Sequence, residues 1–154
     1  MSHFGDLFAY DRSANELILA VCDGLSHEQR MAPFPELGGS VLELLGHIVG
    51  VQEAFLALMT GGAARYPEDG PYDQVRAAFA SVAAGYEAAV PTLERKLATD
   101  VSIPWFKREI TVEQALTQVA THSVQHRAGV AAGIARAGRE APELDFIHWV
   151  AAER

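Results

Sequence analysis

The sequence predicts an all-α protein: an antiparallel four-helix bundle closed by a short C-terminal helix. Three observations point there. Apolar residues recur at three- and four-residue steps through a chain rich in Ala and Leu. Capping-box patterns open three segments, at Ser26-His27-Glu28-Gln29, Ser40-Val41-Leu42-Glu43 and Thr111-Val112-Glu113-Gln114. Glycine or proline stands where each helical run should stop. No repeat, low-complexity tract or linker divides the chain, so residues 1–154 read as one domain, and no real sheet is expected.

The first helix should run from about Phe4 to Cys22, with Phe4, Leu7, Phe8, Leu17, Ile18 and Val21 inward and Gly24 ending it. Ser26 then caps a short turn, and Ala32-Pro33-Phe34-Pro35 with Gly38-Gly39 breaks the chain. The second long helix, roughly Val41 to Met59, is apolar nearly all round, which places it either at the centre or against a second chain. Thr60-Gly61-Gly62 ends it, and Ala63 to Gly70, with Pro67 and Asp69, reads as a surface loop. Pro71 opens a third helix reaching Val90 or beyond, which Pro91 should kink or interrupt. Val101 to Ile110, carrying Trp105 and Phe106, reads as a loop or short extended segment. The fourth helix follows Thr111 and stops at Gly138; Pro142 should open the closing helix, which ends in Asp145-Phe146-Ile147-His148-Trp149-Val150.

Composition excludes several classes of function. At 154 residues, 49% hydrophobic and 21% charged, the chain has globular composition and enough length for a substantial core. A net charge of −8 with scattered arginines argues against nucleic acid as a partner. The single cysteine, Cys22, excludes an internal disulfide and fits a reducing compartment. No signal peptide is read at the N-terminus and no membrane-length apolar stretch is read in the chain, so the expectation is a cytoplasmic protein without a membrane partner.

The histidines carry the chemistry. His122 and His126 are four residues apart in a breaker-free stretch, which stacks both imidazoles on one helical face, near enough to share a cation. That spacing alone is weak. The same face passes Ala115, Val119, Gly129 and Gly133, small residues that leave room for a cavity or a close approach. Metal ligation and a satisfied core or surface pair both remain open. His47 lies among Leu44, Val51 and Ala54 and so points into protein; the nearby carboxylate, Glu43, is the capping residue of its own helix. A metal shared with His122 and His126 would satisfy it, and a hydrogen-bonded core histidine is the alternative. His3, His27 and His148 read as exposed or structural, and Cys22 as core. Neither a hydrolase nucleophile turn nor a phosphate-cradling glycine loop is present.

Four segments, in order along essentially the whole chain, resemble the DinB/YfiT-like superfamily of metalloenzymes. They are the first-helix run Phe8 to Leu19, the segment Ser40 to His47, His122-Ser123-Val124-Gln125-His126-Arg127, and the closing Pro142 to Ile147. The resemblance implies a four-helix bundle, usually a homodimer, with a metal site from His47, His122 and His126. Many members carry histidine where this chain has Gln125, and a Gly-Gln pair where it has Ala128-Gly129. Neither departure removes a ligand.

Three neutral imidazoles leave a divalent ion open to water or substrate, with zinc or nickel the leading ions and iron or manganese compatible. The resemblance further implies a metal-dependent S-transferase that joins a low-molecular-weight thiol to small electrophiles in detoxification or stress response. Tyr10, Asn15 and Arg127 are pocket positions by the same resemblance, with helix packing or an interhelical salt bridge as the alternative. No residue is assigned a catalytic role. A metal-dependent hydrolase competes, although Ser-Val-Gln at 123–125 lacks the glutamate of a zinc-protease helix. So does a non-catalytic, metal-stabilised binding protein.

Overall fold

A computed structural model describes residues 2–62 and 70–152, so the loop expected at Ala63 to Gly70 lies almost wholly outside the described residues. The described chain is mostly helical: α1 (His3–Asp23), α2 (His27–Met31), α3 (Val41–Thr60), α4 (Tyr72–Leu93), α5 (Val112–Arg136) and α6 (Phe146–Ala152). Local chemistry sets the ends. The three capping boxes form as spaced: Ser40 Oγ accepts from the Glu43 N–H at 3.2 Å while Glu43 Oε2 accepts from the Ser40 N–H at 2.7 Å, and Ser26/Gln29 and Thr111/Gln114 do the same. Gly61, at φ 75°, ends α3 in the left-handed conformation that glycine adopts without a Cβ penalty.

Several sequence expectations are corrected. The segment after α4 does pair into a sheet: β1 (Asp100–Ile103) and β2 (Arg108–Thr111) form an antiparallel hairpin with Asp100 opposite Thr111 and Ile103 opposite Arg108. Val101 and Ile103, alternating with exposed neighbours, turn inward and anchor it, and Pro104 turns the chain where the ladder must stop. Pro91 does not interrupt α4, which runs on to Leu93 although the proline has no N–H to donate. The closing helix starts at Phe146 rather than Pro142, and the Leu144 carbonyl just before it accepts from the Tyr10 hydroxyl at 2.5 Å. Leu17 is 46% exposed, at the edge of the cavity that Tyr10, Ser13 and Trp149 also line.

Contacts fix the helix directions. Phe4 N–H donates to Glu94, Phe8 stacks on Tyr86 and Asp23 pairs with Arg76, so α1 and α4 run oppositely. Asp11 meets Arg127, and Arg139, just past α5, donates to the Gly24 carbonyl, so α1 and α5 run together. Val41 lies against Gly133, Leu44 against Gly129 and Gln52 against Ser123, so α3 opposes α5. It follows that α3 and α4 are parallel, where the sequence reading has neighbours antiparallel.

The apolarity of α3 is accounted for within the chain. Val41, Ile48, Val49 and Ala54 are fully buried, and α3 packs on both α4 and α5. Contrary to the sequence expectation, Pro35–Thr60 is long and apolar enough to cross a membrane, with mean hydropathy 1.6 over its most apolar window. Of that window 61% is buried inside the protein, which is the environment of a core helix.

Candidate metal centre

His47 on α3 and His122 and His126 on α5 converge, with ring centroids 4.8 Å (His47–His122), 4.6 Å (His47–His126) and 4.3 Å (His122–His126) apart. One nitrogen from each ring lies within 4.8 Å of the others. The opposed run of α3 and α5 produces this, since His47 rises to meet the two imidazoles that the four-residue step stacks on α5. All three are half-buried, in a position that keeps contact with solvent.

The one nitrogen pair in direct contact has a spacing that two ligands of a shared ion can take. His122 Nε2 and His47 Nε2 are 3.0 Å apart. Two imidazoles on one cation at bond lengths of about 2.05 Å stand roughly 2.9 Å apart at right angles and roughly 3.3 Å apart at the tetrahedral angle. Burial first, then the adjacent His126 and His47 rings, push the His122 imidazole down to about 4 from its usual 6.5. Burial and then His47 also lower His126. Both are therefore neutral near pH 7, the form that donates a lone pair to a metal. His122 Nδ1 is buried without a hydrogen-bond partner among the described residues. His122 is thus held by packing and by its Nε2 side alone. Three imidazole nitrogens from two helices could hold a divalent ion and leave positions open on it.

The small residues on the same face of α5 admit protein, not ligand. A Cβ on Gly133 would stand 2.7 Å from Val41 Cγ2, and one on Gly129 would stand 3.1 Å from Leu44 Cδ1. These glycines let α3 approach α5 closely, and that approach brings His47 within reach.

Tyr10, Asn15 and Arg127, the pocket positions expected from sequence, are all buried, the first two on α1 and the third on α5. Arg127 is only 2% exposed; its Nη1 donates to Asp11 Oδ1 and, at 2.9 Å, to Asn15 Oδ1. Asn15 Nδ2 donates back to Asp11 Oδ2 at 3.0 Å. Tyr10 sits 5.5 Å beneath the Arg127 guanidinium and lines a cavity of about 240 Å³ under α6 with Ser13 and Trp149. Asn15 also borders a groove between α1 and α4. Arg127 Nη1 is paired inside the protein, and its Nη2 is buried without a hydrogen-bond partner among the described residues.

Sequence reasoning missed the rest of this buried network. Gln52 Nε2 donates to Asp11 Oδ2 at 2.6 Å and to Ser123 Oγ at 2.9 Å, and the Tyr86 hydroxyl donates to the Gln52 carbonyl at 2.9 Å. Asp11, Gln52, Tyr86 and Ser123 join α1, α3, α4 and α5. A signal was present: Asp11 lies on the stripe Phe8, Asp11, Asn15, Ile18 that α1 buries, where an unpaired carboxylate would be prohibitive.

Compared with known proteins, residues 1–154 match the family model described as the DinB family. No curated protein matches the chain.

Proposed function

The chain belongs to the DinB family over its whole length, and on that premise we propose that it is a divalent-metal protein acting as a thiol S-transferase on small electrophiles, in detoxification or stress response. The convergence of His47, His122 and His126 carries the reading. In the same proposal the four long helices form the family's bundle, the protein works as a homodimer in the cytoplasm, and zinc or nickel is the resident ion.

The division of labour follows from the residues. His122 and His126 stay neutral near pH 7 because burial opposes their protonation, so no proton must leave before they coordinate. His47, from the other helix, ties the site to the α3–α5 packing. A divalent ion held there would supply an open position at which a thiol is bound and its pKa lowered. In this proposal Arg127 serves as the interhelical partner of Asp11.

The test is metal analysis and turnover on the same preparation. Protein purified without chelator should carry zinc or nickel at near-stoichiometric level, His47→Ala should lose most of it, and electrophile consumption should require both metal and a low-molecular-weight thiol. Ester or amide cleavage without thiol would replace the transferase reading with a hydrolase. Absence of bound metal after supplementation would remove both. Sedimentation as a monomer at micromolar concentration would overturn the dimer.

A further inference from the structure

We infer that the buried network Asp11–Asn15–Gln52–Ser123–Arg127 is a positioning device for the histidine cluster, setting the rotation of α3 and α5 so that three imidazoles meet. The inference rests on the metal reading above and adds to it residues beyond the three histidines.

The argument begins with spacing on α5. His122 and His126 form one four-residue pair; Ser123 and Arg127, each one position later, form a second, turned about 100° around the helix. The first pair faces His47 at the half-buried edge of the α3–α5 contact, and the second faces the bundle interior, where Ser123 is 0% and Arg127 2% exposed. Anything that fixes the inner pair therefore fixes the outer one. Arg127 is tied to Asp11 and Asn15 of α1. Ser123 is tied to Gln52 of α3, the helix that carries His47. Two side-chain bridges thus join α3 and α5 from consecutive α5 positions: His122 to His47 at 3.0 Å and Ser123 to Gln52 at 2.9 Å. Gln52 also reaches Asp11, so one carboxylate references both histidine-bearing helices to α1.

The tolerance makes such a device necessary. A side-chain nitrogen rides roughly 5–6 Å from its helix axis, so a 20° rotation moves it by about 2 Å, a whole metal–ligand bond. Metal sites need ligands held within about 0.5 Å. Apolar packing between Val, Leu and Ala side chains is adaptable at that scale, while hydrogen bonds of fixed length and direction are not.

Replacing a buried ion pair by apolar residues of similar volume is often neutral for stability, whereas removing one partner is not. Asp11→Leu/Arg127→Met is therefore the informative variant, with Gln52→Met as a milder second that keeps the ion pair. Cobalt(II) serves as the probe, read by its visible ligand-field band and by competition with a chromophoric chelator, beside a thermal melt of the metal-free protein. The expected result is cobalt affinity 10–100-fold weaker in both variants, the range seen for groups that orient ligands. An altered band should accompany it, in protein whose metal-free melt is still cooperative, with some loss of Tm in the double variant because Asn15 and Gln52 lose partners. Parent-like affinity and spectrum in whichever of the two variants folds would overturn the inference while leaving the metal reading intact. Failure of the parent protein to bind cobalt would end both.

Discussion

His122 shows how a side chain can be prepared for a ligand by what surrounds it. Burial and two neighbouring imidazoles push it down to about 4, so folding disfavours its protonated form. The unfolded chain, where the imidazole titrates near 6.5, then binds more protons than the folded chain at every pH between those values. Stability must rise with pH across that window. The metal-free protein should lose stability as pH falls from 6.5 toward 4. His122 should account for on the order of 1–2 kcal/mol of it, because partial exposure screens the full linkage value. Denaturant unfolding at pH 7, 5 and 4 checks this, with His122→Gln, which cannot take up the proton, as reference. If the two proteins lose stability in parallel, the imidazole titrates freely and its preparation is illusory.

Between α3 and α5 the decisive contact is a glycine. A methyl group on Gly133 would meet the fully buried Val41 at 2.7 Å, and a β-branched side chain at the start of α3 has little rotamer freedom with which to yield. Overpacking of this kind costs about 1–3 kcal/mol, against roughly 1 kcal/mol gained from helix propensity when glycine becomes alanine. Gly133→Ala should therefore be net destabilising by about 1 kcal/mol in urea unfolding. Adding Val41→Ala should recover part of the loss, giving the double variant a positive coupling. A gain in stability from Gly133→Ala alone would show that α3 can move away, and with it His47. This contact also marks where element-level reading of the sequence succeeds and stops. Helix ends were legible because Ser40/Glu43 and Thr111/Gln114 are local patterns closed within three residues. The four-residue step of His122 and His126 was legible for the same reason. That Gly129 and Gly133 receive Leu44 and Val41 was not, because glycine states that something approaches without saying what. The hairpin was hidden by its brevity, four residues per strand with Trp105 and Phe106 at the turn drawing attention from the inward Val101 and Ile103. The partners of Arg127 were hidden by distance: Asp11 is 116 residues away, and a charge reads as surface until the fold buries it.

At the scale of the molecule, the cluster is a property of the fold and not of any segment. His47 and His122 are 75 residues apart, so an unfolded chain keeps only the weak His122–His126 pair and has no three-nitrogen site. A metal that binds the cluster must therefore favour the folded protein by close to its full binding free energy. Because α3 packs on both α4 and α5, a clamp across the α3–α5 contact should stabilise the helical core as a whole. At a free metal concentration 100-fold above the dissociation constant the gain is about 2.7 kcal/mol. At roughly 2–4 °C per kcal/mol for a chain of this size, that is a rise of about 5–10 °C in Tm. Calorimetry of chelator-treated protein with and without added zinc or nickel measures it directly. His47→Ala should abolish most of the rise while leaving the metal-free Tm little changed, since a half-buried imidazole contributes little core. Equal melting temperatures with and without metal in the parent protein would mean that the three imidazoles meet for packing, and that the close approach of α3 to α5 serves the core alone.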